Sequence, residues 1–101
     1  MYLLQLFLPL FNNSGDRFGP QMFTDVRDEL VGRFGGITTY TRAPVRGLWQ
    51  TDGHVVPDDL VIYEIVVERL EVGWWREYKR KLEWRFEQDS LVVRAQRIVL
   101  L

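Results

Sequence analysis

Arg42, Arg94 and Glu64 interrupt stretches that are otherwise apolar or β-branched. Charges in such places need partners or ligands, because burying them unpaired is costly. A guanidinium holds a carboxylate or phosphate through paired N–H donors, and a half-buried carboxylate can accept a proton from a substrate. With Gln5, Tyr40, Trp49 and Gln96, these side chains form a candidate cluster for a small anionic ligand or for an interface. Within it, Arg42 and Arg94 would hold the anion and Glu64 would take the proton. Other chemistry finds little support. The chain has no cysteine, which removes disulfides, thiolate metal sites and cysteine catalysis. His54 is the single histidine, so no imidazole pair can bind a metal within one chain. Asp58 and Asp59 follow Pro57 and read as a strand-start turn rather than a cation site. No nucleophile with its base and no phosphate loop is visible, and neither a metal nor a cofactor is expected.

The elements that would position this cluster are marked by an internal repeat. Leu30, Arg33, Phe34, Arg42 and Ala43 recur as Leu82, Arg85, Phe86, Arg94 and Ala95, always 52 positions later. Tyr2 to Leu10 is an apolar run broken by Gln5, which suits a central strand. Asn12 to Asp16 is a turn by composition. Pro20 then opens a helix whose Phe23, Val26, Leu30 and Phe34 share one face, and Gly35-Gly36 stops it. Ile37 to Arg42 is a strand by propensity, Asp52-Gly53 marks a hairpin arm, and Leu60 to Val67 is a third strand. Trp75, Tyr78, Leu82 and Phe86 repeat the spacing of the first helix, Gln88-Asp89-Ser90 ends that helix, and Leu91 to Ile98 closes the series as the last strand.

The order βαββαβ predicts one α+β domain over residues 1–101. It is a ferredoxin-like two-layer sandwich, with a four-stranded antiparallel sheet in the order 4-1-3-2, two helices on one face and a β2–β3 hairpin arm. Period-two alternation turns Leu4, Leu6, Leu8, Val61, Tyr63, Ile65, Leu91, Val93 and Ala95 toward the helices. The open side then carries Leu3, Gln5, Phe7, Tyr40, Arg42, Ile62, Glu64, Val66, Val92, Arg94, Gln96 and Ile98. About half of that face is apolar, which suits a homodimer interface in which Arg42, Glu64 and Arg94 form a row with Gln5. The facing of Arg42 depends on the hairpin register. Unbroken pairing from Asp52-Gly53 sets Thr41 opposite Glu64, whereas a one-residue bulge brings Arg42 to the open side.

Trp84 falls on the outer side of the second helix and is a candidate partner anchor. Trp75 belongs to the core stripe, and Trp74 flanks it. Arg76, Lys79, Arg80, Lys81 and Arg85 are interleaved with Glu77, Glu83 and Glu87, which reads as a solvated face with a Glu77–Lys81 pair. Thirteen basic and fourteen acidic residues leave a net charge of −1, so no field gathers nucleic acid or anionic membrane. The third strand also lacks the aromatic run of an RNA-binding sheet. Met1 to Phe11 is too short to span a bilayer and lacks the basic start of a signal peptide, and the cytoplasm is the expected compartment.

The segments Arg33-Phe34-Gly35-Gly36-Ile37-Thr38, Gly47-Leu48-Trp49 and Arg85-Phe86 through Gln88-Asp89-Ser90 to Arg94-Ala95 are similar to those of a group of small bacterial proteins without an assigned activity. The resemblance runs from the first strand to the last. It implies a ferredoxin-like domain and brings no catalytic residues. The first expectation is therefore a binding or assembly module, homodimeric through its open face. A small dimeric α/β-barrel enzyme acting on an anionic molecule is the second, and single-stranded nucleic-acid binding the third.

Overall fold

Leu4, Leu6 and Leu8 are buried while Leu3, Gln5 and Phe7 between them are half-buried, the alternation of a strand covered fully on one side only. This strand, β1 (Tyr2–Pro9), is followed by α1 (Pro20–Phe34), β2 (Thr38–Arg42), β3 (Gln50–Thr51), β4 (His54–Val55), β5 (Leu60–Val67), α2 (Val72–Arg85) and β6 (Val92–Arg97). The computed structural model describes residues 1–42, 50–51, 54–55 and 60–101, and side chains outside 39–59.

The long strands β5, β1 and β6 are antiparallel neighbours, and the short β2 pairs along β5. Both helices lie on the face of Leu4, Leu6, Leu8, Val61, Tyr63 and Ile65. There Val26 and Leu30 of α1 meet Trp75, Tyr78 and Leu82 of α2 in one core. Each fully buried leucine of that layer contributes roughly 1.5–3 kcal/mol. The helix start at Pro20 uses a residue whose missing N–H would be unpaired there anyway. Its end uses Gly35, whose φ of 85° is open to glycine, and the Gly35 amide donates to the Val31 carbonyl at 2.8 Å.

The repeat has a physical counterpart. Phe34, ending α1, stacks on Trp75 at the start of α2 with ring centroids 5.2 Å apart. Phe86, just after α2, packs against Phe23 at the start of α1 at 5.5 Å and against Phe18 at 5.1 Å. Phe34 and Phe86, and likewise Phe23 and Trp75, are 52 positions apart. The helices are therefore antiparallel, and each ends on an aromatic residue that opens the other.

The expected plan of one four-stranded sheet in the order 4-1-3-2, with an arm continuous with its second and third strands, is corrected by the strand pairing. There are six strands among the described residues, in two sheets, β2-β5-β1-β6 and a separate β3-β4. Pro44 and Pro57 lie in the two intervals between arm and sheet, and proline has no amide hydrogen with which to continue a ladder. The register shows the break. Arm partners have residue numbers totalling 105 and β2–β5 partners 102. The offset is three residues rather than the single-residue bulge expected, and any odd offset exchanges the two faces of a strand. By this register Thr38 lies opposite Glu64, Tyr40 opposite Ile62 and Arg42 opposite Leu60.

Two other expectations change. Glu77 pairs with Arg80 at 3.3 Å instead of with Lys81, and Lys79 takes Glu83 at 2.9 Å. Ala95, assigned to the helix-covered side, is exposed, because α2 does not extend over edge strand β6.

Candidate functional site

The face of the sheet opposite the helices holds one polar row. Reading across the strands, Arg94 of β6 lies beside Gln5 of β1, Gln5 beside Glu64 of β5, and Glu64 beside Thr38 of β2. Arg94 Nε donates to Gln5 Oε1 at 2.8 Å, and Gln5 Nε2 donates to Glu64 Oε2 at 2.5 Å. A guanidinium only donates and a carboxylate only accepts, so this is the one amide orientation that satisfies both neighbours. Gln5 thereby joins a cation to an anion without the two touching. The rows on either side are apolar at their centre: Phe7 and Ile62 on one side, Leu3 and Val66 on the other.

Of the cluster expected from sequence, the structure brings Gln5, Glu64 and Arg94 together. Arg42 does not join their row. It lies opposite Leu60, four residues along β5 from Glu64, roughly 13 Å away at strand spacing. Thr38 takes the place expected for it. Tyr40 is opposite Ile62 in β2, and the side chains of Tyr40 and Arg42 lie outside the described residues. Trp49 also lies outside them, as do the Asp52-Gly53 turn, the His54 side chain and Asp58-Asp59. Gln96 is exposed in the next row, beside Leu3. Trp84 is on α2, away from this face and 84% exposed.

Sequence reasoning missed a groove next to the row. It encloses about 380 Å³ and is bounded by Phe7, Pro9 and Leu60 on the sheet and by Gln88, Ser90 and Val92 at the approach to β6, with Arg94 linking it to Gln5. That volume falls within the range of about 300–1,000 Å³ typical of small-molecule sites. The Arg94 guanidinium lies 4.9 Å from the centroid of Phe7, a cation–π contact that makes a flat, positively charged platform at the groove wall. Phe7 was legible as an open-face aromatic. Gln88 and Ser90 carried only the signature of a helix stop.

A second charged cluster ties the helices together. Glu29 of α1 accepts from the Tyr78 hydroxyl at 2.7 Å and from Arg85 at 2.8 Å, both on α2. The Arg85 guanidinium holds the Glu29 carboxyl below the usual carboxylate range. Burial, reinforced by Glu29, pushes the Tyr78 phenol well above its ordinary value. The groups bond one another across the two helices, so this cluster is a clasp. Glu29→Gln is expected to cost about 1 kcal/mol at neutral pH, a charged hydrogen bond discounted for its partial exposure. Because the folded pKa lies below the roughly 4.3 of an unfolded glutamate, the contribution is complete above that pH and disappears as pH falls through the folded value. Urea midpoints of parent and variant should therefore differ at pH 7 and converge in acid.

Fold and site together define a class: a small two-layer α+β domain whose helix-free sheet face carries a charged relay beside a ligand-sized groove. No protein-family model matches the chain, and no curated protein matches it. Among solved structures, it is similar to a phage SAM lyase in complex with S-methyl-5'-thioadenosine, at 18% sequence identity. That likeness covers 94% of this chain and 79% of the other, with a TM-score of 0.65, and it concerns the fold. Among the described residues no helix is long and apolar enough to cross a membrane, and no group of histidine and carboxylate side chains could hold a metal ion.

Proposed function

We propose that the open sheet face binds a small adenosyl sulfonium compound or its thioether product, and that the protein cleaves a carbon–sulfur bond in that ligand. The observation that carries this reading is the groove of about 380 Å³ beside the Arg94–Gln5–Glu64 relay. The similarity of its fold to that of a lyase seen with S-methyl-5'-thioadenosine supports this choice of substrate class. Phe7 and Arg94 offer a flat surface for a purine, and Arg94 is placed to hold the carboxylate of the amino-acid portion. When the bond breaks, sulfur keeps both electrons and leaves as a neutral thioether, while the neighbouring carbon gives up a proton and its C–H electron pair closes a carbon–carbon double bond. Glu64, half-buried and bonded only to a neutral amide among the described side chains, is the acceptor for that proton.

Incubation of the purified chain with S-adenosylmethionine, followed by chromatography, tests this directly. Release of S-methyl-5'-thioadenosine is the expected result, with saturable binding of that product by calorimetry. Absence of both at millimolar ligand would overturn the proposal.

A second reading rests on a different observation. Val66 and Val92 are 45% and 56% exposed on the same face, apolar surface that a second copy of the chain could cover. In this reading the protein is a homodimer through the open face. Light scattering should then give twice the chain mass, and Val66→Lys with Val92→Lys should reduce it to one. A parent protein of single-chain mass would exclude the dimer while leaving the ligand proposal standing.

A further inference from the structure

The polar row on the helix-free face ends in opposite charges. Arg94 of β6 and Glu64 of β5 flank Gln5 of β1 at one level of the sheet, each one strand spacing, about 5 Å, to its side. Gln5 keeps the two apart, and neither has an opposite charge within ion-pair distance among the described residues. Arg94 is exposed and Glu64 half-buried, so both retain surface to offer. On β1 itself, Leu3 and Phe7 stand two residues to either side of Gln5 and are half-buried.

Such a row is self-complementary for one orientation of a two-fold axis. A second copy turned by a half-circle about an axis along β1, and laid face to face, brings its Arg94 over Glu64 and its Glu64 over Arg94. Leu3 and Phe7 then meet their own copies across the axis. Turning about an axis along the row instead sets Arg94 on Arg94 and Glu64 on Glu64, which like-charge repulsion opposes. Sheets packed face to face lie about 10 Å apart, a gap that an arginine and a glutamate side chain span together. Their crossing of roughly 30° moves groups this close to the axis by only about half a strand spacing.

We infer that two copies of the chain pair through this face about a two-fold axis along β1, each Arg94 bridging to the partner's Glu64, an orientation that rests on the homodimer reading above. In this pair Glu64 holds a guanidinium in place of a ligand's proton, so the arrangement is the alternative to the lyase.

Charge exchange on the whole chain tests it. The parent should have twice the chain mass by light scattering. Arg94→Glu and Glu64→Arg each set like charges together twice per pair and should weaken the dimer about a hundredfold, giving single-chain mass at the same concentration. Mixed in equal amounts, the two variants should regain twice the chain mass, with one copy of each by native mass spectrometry, because every contact then joins opposite charges. Circular dichroism checks that each variant is folded. Should a single variant fail to fold, Arg94→Glu with Glu64→Arg in one chain should form a dimer that does not exchange subunits with the parent, whereas free exchange would overturn the orientation. A parent dimer that tolerates both single changes, or variants that stay apart when mixed, would overturn it too and leave the homodimer reading intact. A parent of single-chain mass would overturn both.

Discussion

Glu64→Gln is expected to cut release of S-methyl-5'-thioadenosine by about 10²–10⁴-fold, the usual contribution of a positioned proton acceptor. The fold should survive the change. The new amide oxygen can still accept from Gln5 Nε2, so the relay keeps its bonds and loses only its negative end. Gln5→Glu separates charge from geometry in the other direction. Its carboxylate would still accept from Arg94 but would face Glu64 as a like charge, raising the proton affinity of the pair and moving the rate profile to higher pH. Rates measured between pH 5 and 9, with thermal melts on the same samples, distinguish the two variants. A Glu64→Gln protein with parental turnover would remove Glu64 from the chemistry.

Phe86→Ala is expected to destabilise the domain by about 3–5 kcal/mol, the cost of emptying a fully packed aromatic site. Phe86 has no exposed surface and contacts both Phe18 and Phe23. Against a total stability of about 5–15 kcal/mol, such a loss leaves a marginal protein. Thermal melting should fall by about 12 °C or more. Its repeat equivalent Phe34 is only half-buried, so Phe34→Ala should cost less. A smaller effect at position 86 than at position 34 would contradict the packing described.

The helices and the covered side of the sheet were legible because they follow from periodicity. Shifting Pro20–Phe34 by the repeat distance reaches Val72–Phe86, and α2 ends one residue short of that. Leu4, Leu6 and Leu8 announced their common face by simple alternation. The parts that were not legible depend on offsets that leave no periodic trace. Whether one or three residues slip between arm and sheet is set by local turn geometry, and either reading satisfies the same alternation. The position of Arg42 along β2 fell to that ambiguity, since it pairs with Leu60 and Thr38 takes the place opposite Glu64. The groove at Gln88 and Ser90 belongs to a helix exit, where side chains answer to loop shape rather than to a repeating pattern.

The crossed aromatic contacts bear on how the molecule comes apart. Unwinding the last turn of either helix strips the first turn of the other of its packing, and the Glu29 clasp between them would open in the same event. Partial melting is thus penalised at both ends. Slow amide protons of Val26, Leu30, Tyr78 and Leu82 should exchange with deuterium through one shared opening, as a single foldon, despite the duplication visible in the chain.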